Sequence, residues 1–389
     1  MGPISYFWLG VDMLTQRILN FLSAYNGEGP VLVVDLDVVE ANYASFRESL
    51  PDSKVFYAVK ANPEPKVLQL LADNGSSFDC ASFQEIKLAL GTGISPDRIS
   101  FGNTIKKQKD IAAAYEYGVR LFAVDSVEEV VKVSIAAPGS QVFCRILTDG
   151  TGADWPLSRK FGCAPAMAVD VLRRAHELGL VAKGVSFHVG SQMTCINGWN
   201  LAIAEAKGVF DALAEEGIQL DLINLGGGFP TKYLRDVPST AEFGIAIRAA
   251  LTEHFGDNHP ETIIEPGRGM VGNAGVIRTE VVLISKKSHN DYNRWVFLDI
   301  GKFGGLAETM EEAIRYPILS ARDADVCSPC IIAGPTCDSA DVLYEKQLYM
   351  LPETLEIGDF LYLDSAGVYT STYSAVAFNG FEPLRTFVI

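Results

Sequence analysis

The chain has 389 residues, room for two ordinary domains or for one large barrel with a smaller unit. Its composition is globular, with 48% hydrophobic and 21% charged residues, and a formal net charge of −16 argues against a nucleic-acid partner, since phosphate would be repelled over most of the surface. No apolar run approaches the roughly 18 residues of a membrane span, and Met1-Gly-Pro-Ile-Ser-Tyr6 lacks the basic start of a signal peptide. Seven cysteines at scattered spacings do not suggest a disulfide framework in a chain of this size, so a reducing cytoplasm is expected. Cys327-Ser-Pro-Cys330 has metal or redox spacing, but no second such pair and no nearby histidine, so it reads as coincidence. No metal site is expected. A small substrate of either sign stays open, because a local site can oppose the charge of the whole.

In chain order, an apolar run, Val31–Leu36, is followed by eight short β-prone runs. These are Val55–Val59, Ser77–Cys80, Ile99–Gly102, Leu121–Val124, Val142–Leu147, Gly184–Val189, Asp221–Leu225 and Thr262–Glu265. Amphipathic helical patterns separate them, as in Gln84–Leu90 and Ala168–Leu178. Alternation of this kind predicts an α/β fold, a closed (β/α)8 TIM-like barrel over 37–265, with an open doubly wound sheet as the alternative. After about Pro266 the pattern changes to strand-like runs: Val276–Ser285, Arg294–Asp299, Cys330–Ile332, Phe360–Leu363 and Ala375–Phe378. Turn signals such as Ile357-Gly-Asp divide them, which predicts a second, mainly antiparallel β domain over 266–389, joined by residues 1–36.

In a barrel, function collects at the C-terminal strand ends. There the chain offers Lys60, Asp79, Asn103, Asp125, Arg145, His188-Val-Gly-Ser191, Gly226-Gly-Gly228 and Glu265-Pro-Gly-Arg268. Each has a plainer reading: a solvated lysine, a structural histidine, a tight glycine turn, a carboxylate paired with its neighbouring arginine. Together they have the composition that pyridoxal phosphate requires. An amine can form a Schiff base, bare backbone N–H groups and an arginine can cradle a phosphate, and a carboxylate can face a pyridine nitrogen.

Five motifs, in order over nearly the whole chain, resemble the fold-type III pyridoxal-phosphate decarboxylases. They are Tyr57-Ala-Val-Lys-Ala-Asn62, Phe187-His-Val-Gly-Ser-Gln192, Gly226-Gly-Gly-Phe-Pro230, Glu265-Pro-Gly-Arg268 and Gly334-Pro-Thr-Cys-Asp-Ser-Ala-Asp341. The branch they resemble holds the eukaryotic-type ornithine decarboxylases and their bacterial ornithine/lysine relatives, on an alanine racemase-like barrel. The resemblance implies that Lys60 holds the cofactor and that Asp79 and Arg145 lie near the ring's phenolic oxygen. It implies that His188 stacks on the ring and Glu265 pairs with its nitrogen. Ser191, Gly226, Gly227, Gly228, Arg268 and Tyr369 then hold the phosphate. Cys337 and Asp338 resemble a pair donated by the neighbouring subunit of a homodimer with shared sites, the cysteine helping to reprotonate the α-carbon and the aspartate binding a distal ammonium. The plain alternatives are a small apolar cysteine and a turn aspartate.

Substrate choice is read from a divergent segment, Asp299–Glu312, which resembles the bacterial branch. Phe303 stands where the eukaryotic pattern has tyrosine, and the second substrate acid aligns without gaps with Glu312, with Glu308 and Glu311 as neighbours. The implied reaction is decarboxylation of L-ornithine to putrescine, a step of polyamine synthesis. A lysine or dual lysine/ornithine activity is the alternative. A decarboxylase of another amino acid, a racemase and a non-catalytic decarboxylase-like regulator are further ones.

Overall fold

A computed structural model describes residues 14–148, 150, 152–155, 160–322 and 325–389. All eight expected barrel strands are present: Ser53–Ala58, Ser77–Cys80, Ile99–Phe101, Leu121–Val124, Gln141–Arg145, Val181–Ser186, Leu222–Asn224 and Glu261–Ile264. Each pairs in parallel with the next, and the eighth returns to the first with Thr262 beside Ser53, so the cylinder closes. Closure removes the open doubly wound alternative. Parallel strands buried on both faces read as continuous apolar runs, which is why the sequence announces them. Inside the cylinder Phe56, Ala123, Phe143, Leu222 and Ile263 pack together. The interior is therefore filled, and ligands are confined to its mouths.

The surrounding helices are longer than their sequence signals. Phe83–Gly91 and Pro165–Glu177 overrun the expected 84–90 and differ at both ends from 168–178. Their starts are chemically marked. Ser82, Ser126 and Ser239 each accept the N–H of the residue three positions on, with Glu242 closing a full capping box. Each such cap is worth about 1 kcal/mol.

Two compact units emerge: residues 39–230 with 237–270, which hold the barrel, and residues 14–38, 231–236 and 271–389. The excursion at 231–236 left no signal in the sequence pattern, and residues 1–13, expected to join the second unit, lie outside the described residues. In the second unit an eight-stranded sheet runs Ile318–Ser320, Phe360–Leu363, Gly275–Ser285, Arg294–Leu298, Cys327–Ala333, Val342–Pro352. Val31–Val34 joins it antiparallel against Gly275–Ser285 and pairs in parallel with Arg385–Val388. Helix Gln16–Ala24 lays Ile18 and Leu22 onto Val31, Val33, Val276 and Tyr362.

One expected strand is corrected. Ala375–Phe378 is not extended: Ala377 and Asn379 adopt φ of 62° and 50°, and Val376 is 82% exposed. The run is apolar without being core, so composition misread it. Three strands, Ile318–Ser320, Val342–Pro352 and Arg385–Val388, had no apolar alternation strong enough to reveal them.

Candidate active site

Strand one ends in a single 3-10 turn, Val59–Ala61, which sets Lys60 on the barrel's C-terminal rim with its side chain exposed. The turn is locked from both sides. The buried Tyr57 hydroxyl donates to the Asn62 carbonyl at 2.9 Å, and the Ala58 N–H donates to the Pro266 carbonyl at 3.2 Å. Strand two delivers Asp79, which is 4% exposed and accepts a hydrogen bond from Ser100 at 2.9 Å. Gly102 makes room for it: a Cβ there would stand 1.8 Å from Asp79 Oδ1. Burial raises the Asp79 carboxyl above its usual range, against the pull of Lys60, Ser100 and Arg145.

Arg145 closes strand five, its guanidinium drawn down by burial and supported by Glu265, Asp79 and Asp125. Behind it, Cys144 and Cys163 lie with sulfurs 3.6 Å apart as free thiols. His188, after strand six, accepts the Gly190 N–H on Nδ1 at 3.0 Å, so its proton sits on Nε2. Burial, with the charges of Arg145 and Lys60, pushes it well below the usual histidine range. The shift favours the neutral ring.

The glycine run follows strand seven. Gly226 and Gly228 have φ of 66° and 108°. Added Cβ atoms at Gly226, Gly227 and Gly228 would meet the carbonyl oxygens of Phe187, Glu265 and Gly190 at 2.0, 2.6 and 2.5 Å. Only glycine allows this backbone to fold so tightly, with no Cβ to shield the N–H groups of Gly227 and Gly228, while that of Gly226 is held by the Asn224 side chain. Nearby, Arg268 donates from Nε and Nη2 to Ser191 Oγ at 3.3 and 3.2 Å while only 3% exposed.

Asn224 organises the carboxylate end, and no sequence signal singled it out. Fully buried, it accepts the Gly226 N–H on Oδ1 at 2.9 Å and donates from Nδ2 to Glu265. Glu265 is raised to about 7, first by burial and then by the charge of Asp79, with Asn224, Lys60 and Arg145 pulling the other way. One mouth thus holds an exposed amine, a neutral imidazole, a bare glycine cradle beside a buried arginine, and an acid that titrates near neutrality. This donor set fits pyridoxal phosphate on all three counts of aldehyde, phosphate and ring nitrogen.

The remaining expected residues lie in the second unit. Cys337 and Asp338 are exposed on one loop. The Cys337 N–H donates to Asn379 Oδ1 at 2.8 Å, and Asp338 Oδ1 accepts the Ala340 N–H at 2.8 Å. Phe303 packs its ring 4.7 Å from that of Phe378, a partner the sequence did not reveal. Asp341 ties the two loops together. It is 2% exposed, accepts the Lys302 N–H at 2.7 Å on one oxygen, and takes the Thr336 N–H and hydroxyl at 3.1 and 2.6 Å on the other. Tyr369 has a φ of 53° and stacks on Tyr373 at 5.7 Å.

Glu312 departs from expectation. Its carboxylate accepts the N–H groups of Glu345, Lys346 and Gln347 at 2.7, 2.5 and 3.0 Å and pairs with Arg315 at 2.9 Å. Those donors fill a gap in the ladder, where the register between Cys327–Ala333 and Val342–Pro352 skips from Tyr344 to Tyr349. With both oxygens engaged, Glu312 has no free acceptor for a substrate amine, and the role expected of it is not supported. Of its neighbours, Glu311 is exposed and pairs with Lys346, and Glu308 is buried.

Comparison with known proteins agrees with this chemistry. Residues 36–272 match the family described as pyridoxal-dependent decarboxylase, pyridoxal binding domain. The lysine/ornithine decarboxylase of Selenomonas ruminantium is 36% identical over 92% of this chain and 89% of its own. The chloroplastic ornithine decarboxylase of Nicotiana glutinosa is also 36% identical, over 96% of this chain and 85% of its own. Among solved structures, the lysine/ornithine decarboxylase of Vibrio vulnificus superposes with TM-scores of 0.85 with putrescine and 0.86 with cadaverine. It is 30% identical, covering 97% of this chain and 99% of that one.

Proposed function

The chain belongs to the fold-type III pyridoxal-dependent decarboxylases, and from that premise we propose that it removes the α-carboxyl group of L-ornithine, releasing putrescine and carbon dioxide, with lysine as a secondary substrate. Its cofactor is pyridoxal 5′-phosphate, which when bound supplies an electron-withdrawing ring that accepts the electrons of the breaking bond. The observation that carries the reading is Glu265 held at about 7 by burial and oriented by Asn224, in the same mouth as Lys60.

The chain's residues divide the work. Lys60 is the amine that holds the cofactor and returns when product leaves. Gly227, Gly228, Ser191 and Arg268 are the phosphate ligands, with Tyr369 added by the family resemblance, and Gly226, its N–H taken by Asn224, shapes the loop. Glu265 is the partner of the ring nitrogen, titrating close enough to neutrality to share that proton. Neutral His188 covers a ring face without adding positive charge beside Arg145. Asp79 and Arg145 balance each other's charge next to the lysine.

Asp338 is the acid for the distal ammonium, and Cys337 is the proton donor to the α-carbon. Both are exposed on their own chain, and a charge-assisted pair strengthens when water is excluded. That supports a homodimer in which each chain completes the other's site. With Glu312 engaged elsewhere, Asp338 reads the amine without that second acid. Ornithine and lysine differ by one methylene, a difference worth about 1–3 kcal/mol or roughly 10–200-fold.

Carbon dioxide release from ornithine, lysine, arginine and diaminopimelate tests the reading. We expect the highest kcat/KM for ornithine and lysine within about 200-fold of it. Preference for arginine or diaminopimelate would overturn the substrate, and no release from any of the four would favour a non-catalytic relative.

A further inference from the structure

The barrel has a second opening, at the N-terminal ends of its strands, with a recess of about 490 Å³. Five basic side chains line it, Arg47, Lys54, Arg98, Arg120 and Lys183, against two carboxylates, Asp97 and Glu261. The chain as a whole carries 48 acidic and 32 basic residues, so this recess opposes the net sign of the chain.

The two lysines are largely compensated. Lys54 pairs with Glu261, and Lys183 with Asp221 at 2.7 Å. The arginines are not. Arg98 donates from Nη2 to the carbonyls of Ala72, at 3.0 Å, and Ser76. Arg120 donates from Nη1 to the carbonyls of Tyr115 and Val119 at 2.7 and 2.9 Å, with its guanidinium 3.8 Å from the centre of the Tyr115 ring. Carbonyl oxygens fix a guanidinium in place without cancelling its charge. Arg47 and Arg98 also lie near enough to act together on the Tyr43 hydroxyl. Among the described residues, none of the three arginines has a carboxylate within ion-pair distance.

Held guanidinium groups with unused N–H edges are the geometry that phosphate oxygens satisfy in pairs. A single carboxylate would answer one arginine and leave the other two without a counter-charge. A recess of about 490 Å³ has room for a group of triphosphate size. We propose that the N-terminal mouth is a binding site for an oligophosphate, free or carried by a nucleotide. The site lies on the face opposite the decarboxylation chemistry, and it does not depend on which amino acid is the substrate.

Cofactor-loaded protein, with its phosphate cradle filled, is titrated calorimetrically with tripolyphosphate and with ATP at about 0.15 M salt, where screening removes weak surface attraction. Saturable binding is expected, weakened at least about tenfold in the Arg47→Glu, Arg120→Glu double variant, with cofactor absorbance and melting unchanged. ATP binding more tightly than tripolyphosphate assigns the ligand to nucleotides, and equal affinity assigns it to the bare phosphate chain. Absence of saturable binding, or equal affinity in the double variant, overturns the site. Should the double variant fail to fold, Arg120→Gln serves instead: a loss of about threefold or more supports the site, and an unchanged affinity rejects it.

Discussion

At the C-terminal mouth Lys60, Asp79, Arg145 and Glu265 act on one another's charge, while at the N-terminal mouth Arg98 and Arg120 lean on neutral carbonyls. The first set is internally compensated and poised: its acids are raised, its arginine is lowered, and its histidine is neutral. The second set is held in place but left uncompensated. One barrel therefore presents a site tuned for proton movement at one end and fixed positive charge at the other. The difference lies in whether the rigid neighbours of each charge are themselves charged.

The harshest way to break this contrast is Lys60→Ala. It should cost about 10³-fold or more in turnover and abolish the visible absorbance of bound cofactor. Full activity would remove the C-terminal mouth from catalysis. Mixing that variant with an inactive Cys337→Ala chain should recover up to about a quarter of normal activity, since half the dimers are mixed and each carries one intact site. No recovery at any ratio would mean that the sites are not shared.

A gentler cut is Asn224→Ala, which frees Glu265 and the Gly226 N–H together. Loss of a hydrogen bond to a charged group is worth about 1.5–3 kcal/mol, so kcat/KM should fall about tenfold to a hundredfold. A rate within twofold of normal would make Asn224 a bystander.

The smallest effect is on stability. Glu265 has its carboxyl raised from 4.5 to about 7 in the folded chain. Its contribution is thus complete below pH 4.5 and lost as pH rises through about 7. In cofactor-free protein, Glu265→Gln should flatten that part of the melting curve against pH, by about 2 °C or more. Asp79 and Asp364 are raised as well and leave a residual slope of the same sign. An identical profile in the Gln variant would show that Glu265 does not titrate there.

The barrel was legible because each of its strands is buried on both faces, and the glycine run because few backbones tolerate φ of 66° and 108°. Asn224 was not, since an asparagine at a strand end looks like any turn residue until Glu265, 41 positions on, is folded against it. Asp341 lies within a motif visible in the sequence, yet its work of fastening the Lys302 and Thr336 backbones appears only when two distant loops meet. Glu312 misled for the same reason. A gapless register could place the residue in sequence, but not the three N–H groups some 33 to 35 positions later that occupy it.

That grip has a bearing on solubility. Val342–Pro352 is the last strand of its sheet, and its ladder lapses between Tyr344 and Tyr349. Uncapped donors on an outer strand are a template on which another chain can add itself, edge to edge, toward fibres. By gathering three of them under one carboxylate, and setting Arg315 behind it, Glu312 removes those donors from the template. The expected consequence is colloidal: freeing those three donors by Glu312→Ala should raise the tendency of the protein to aggregate.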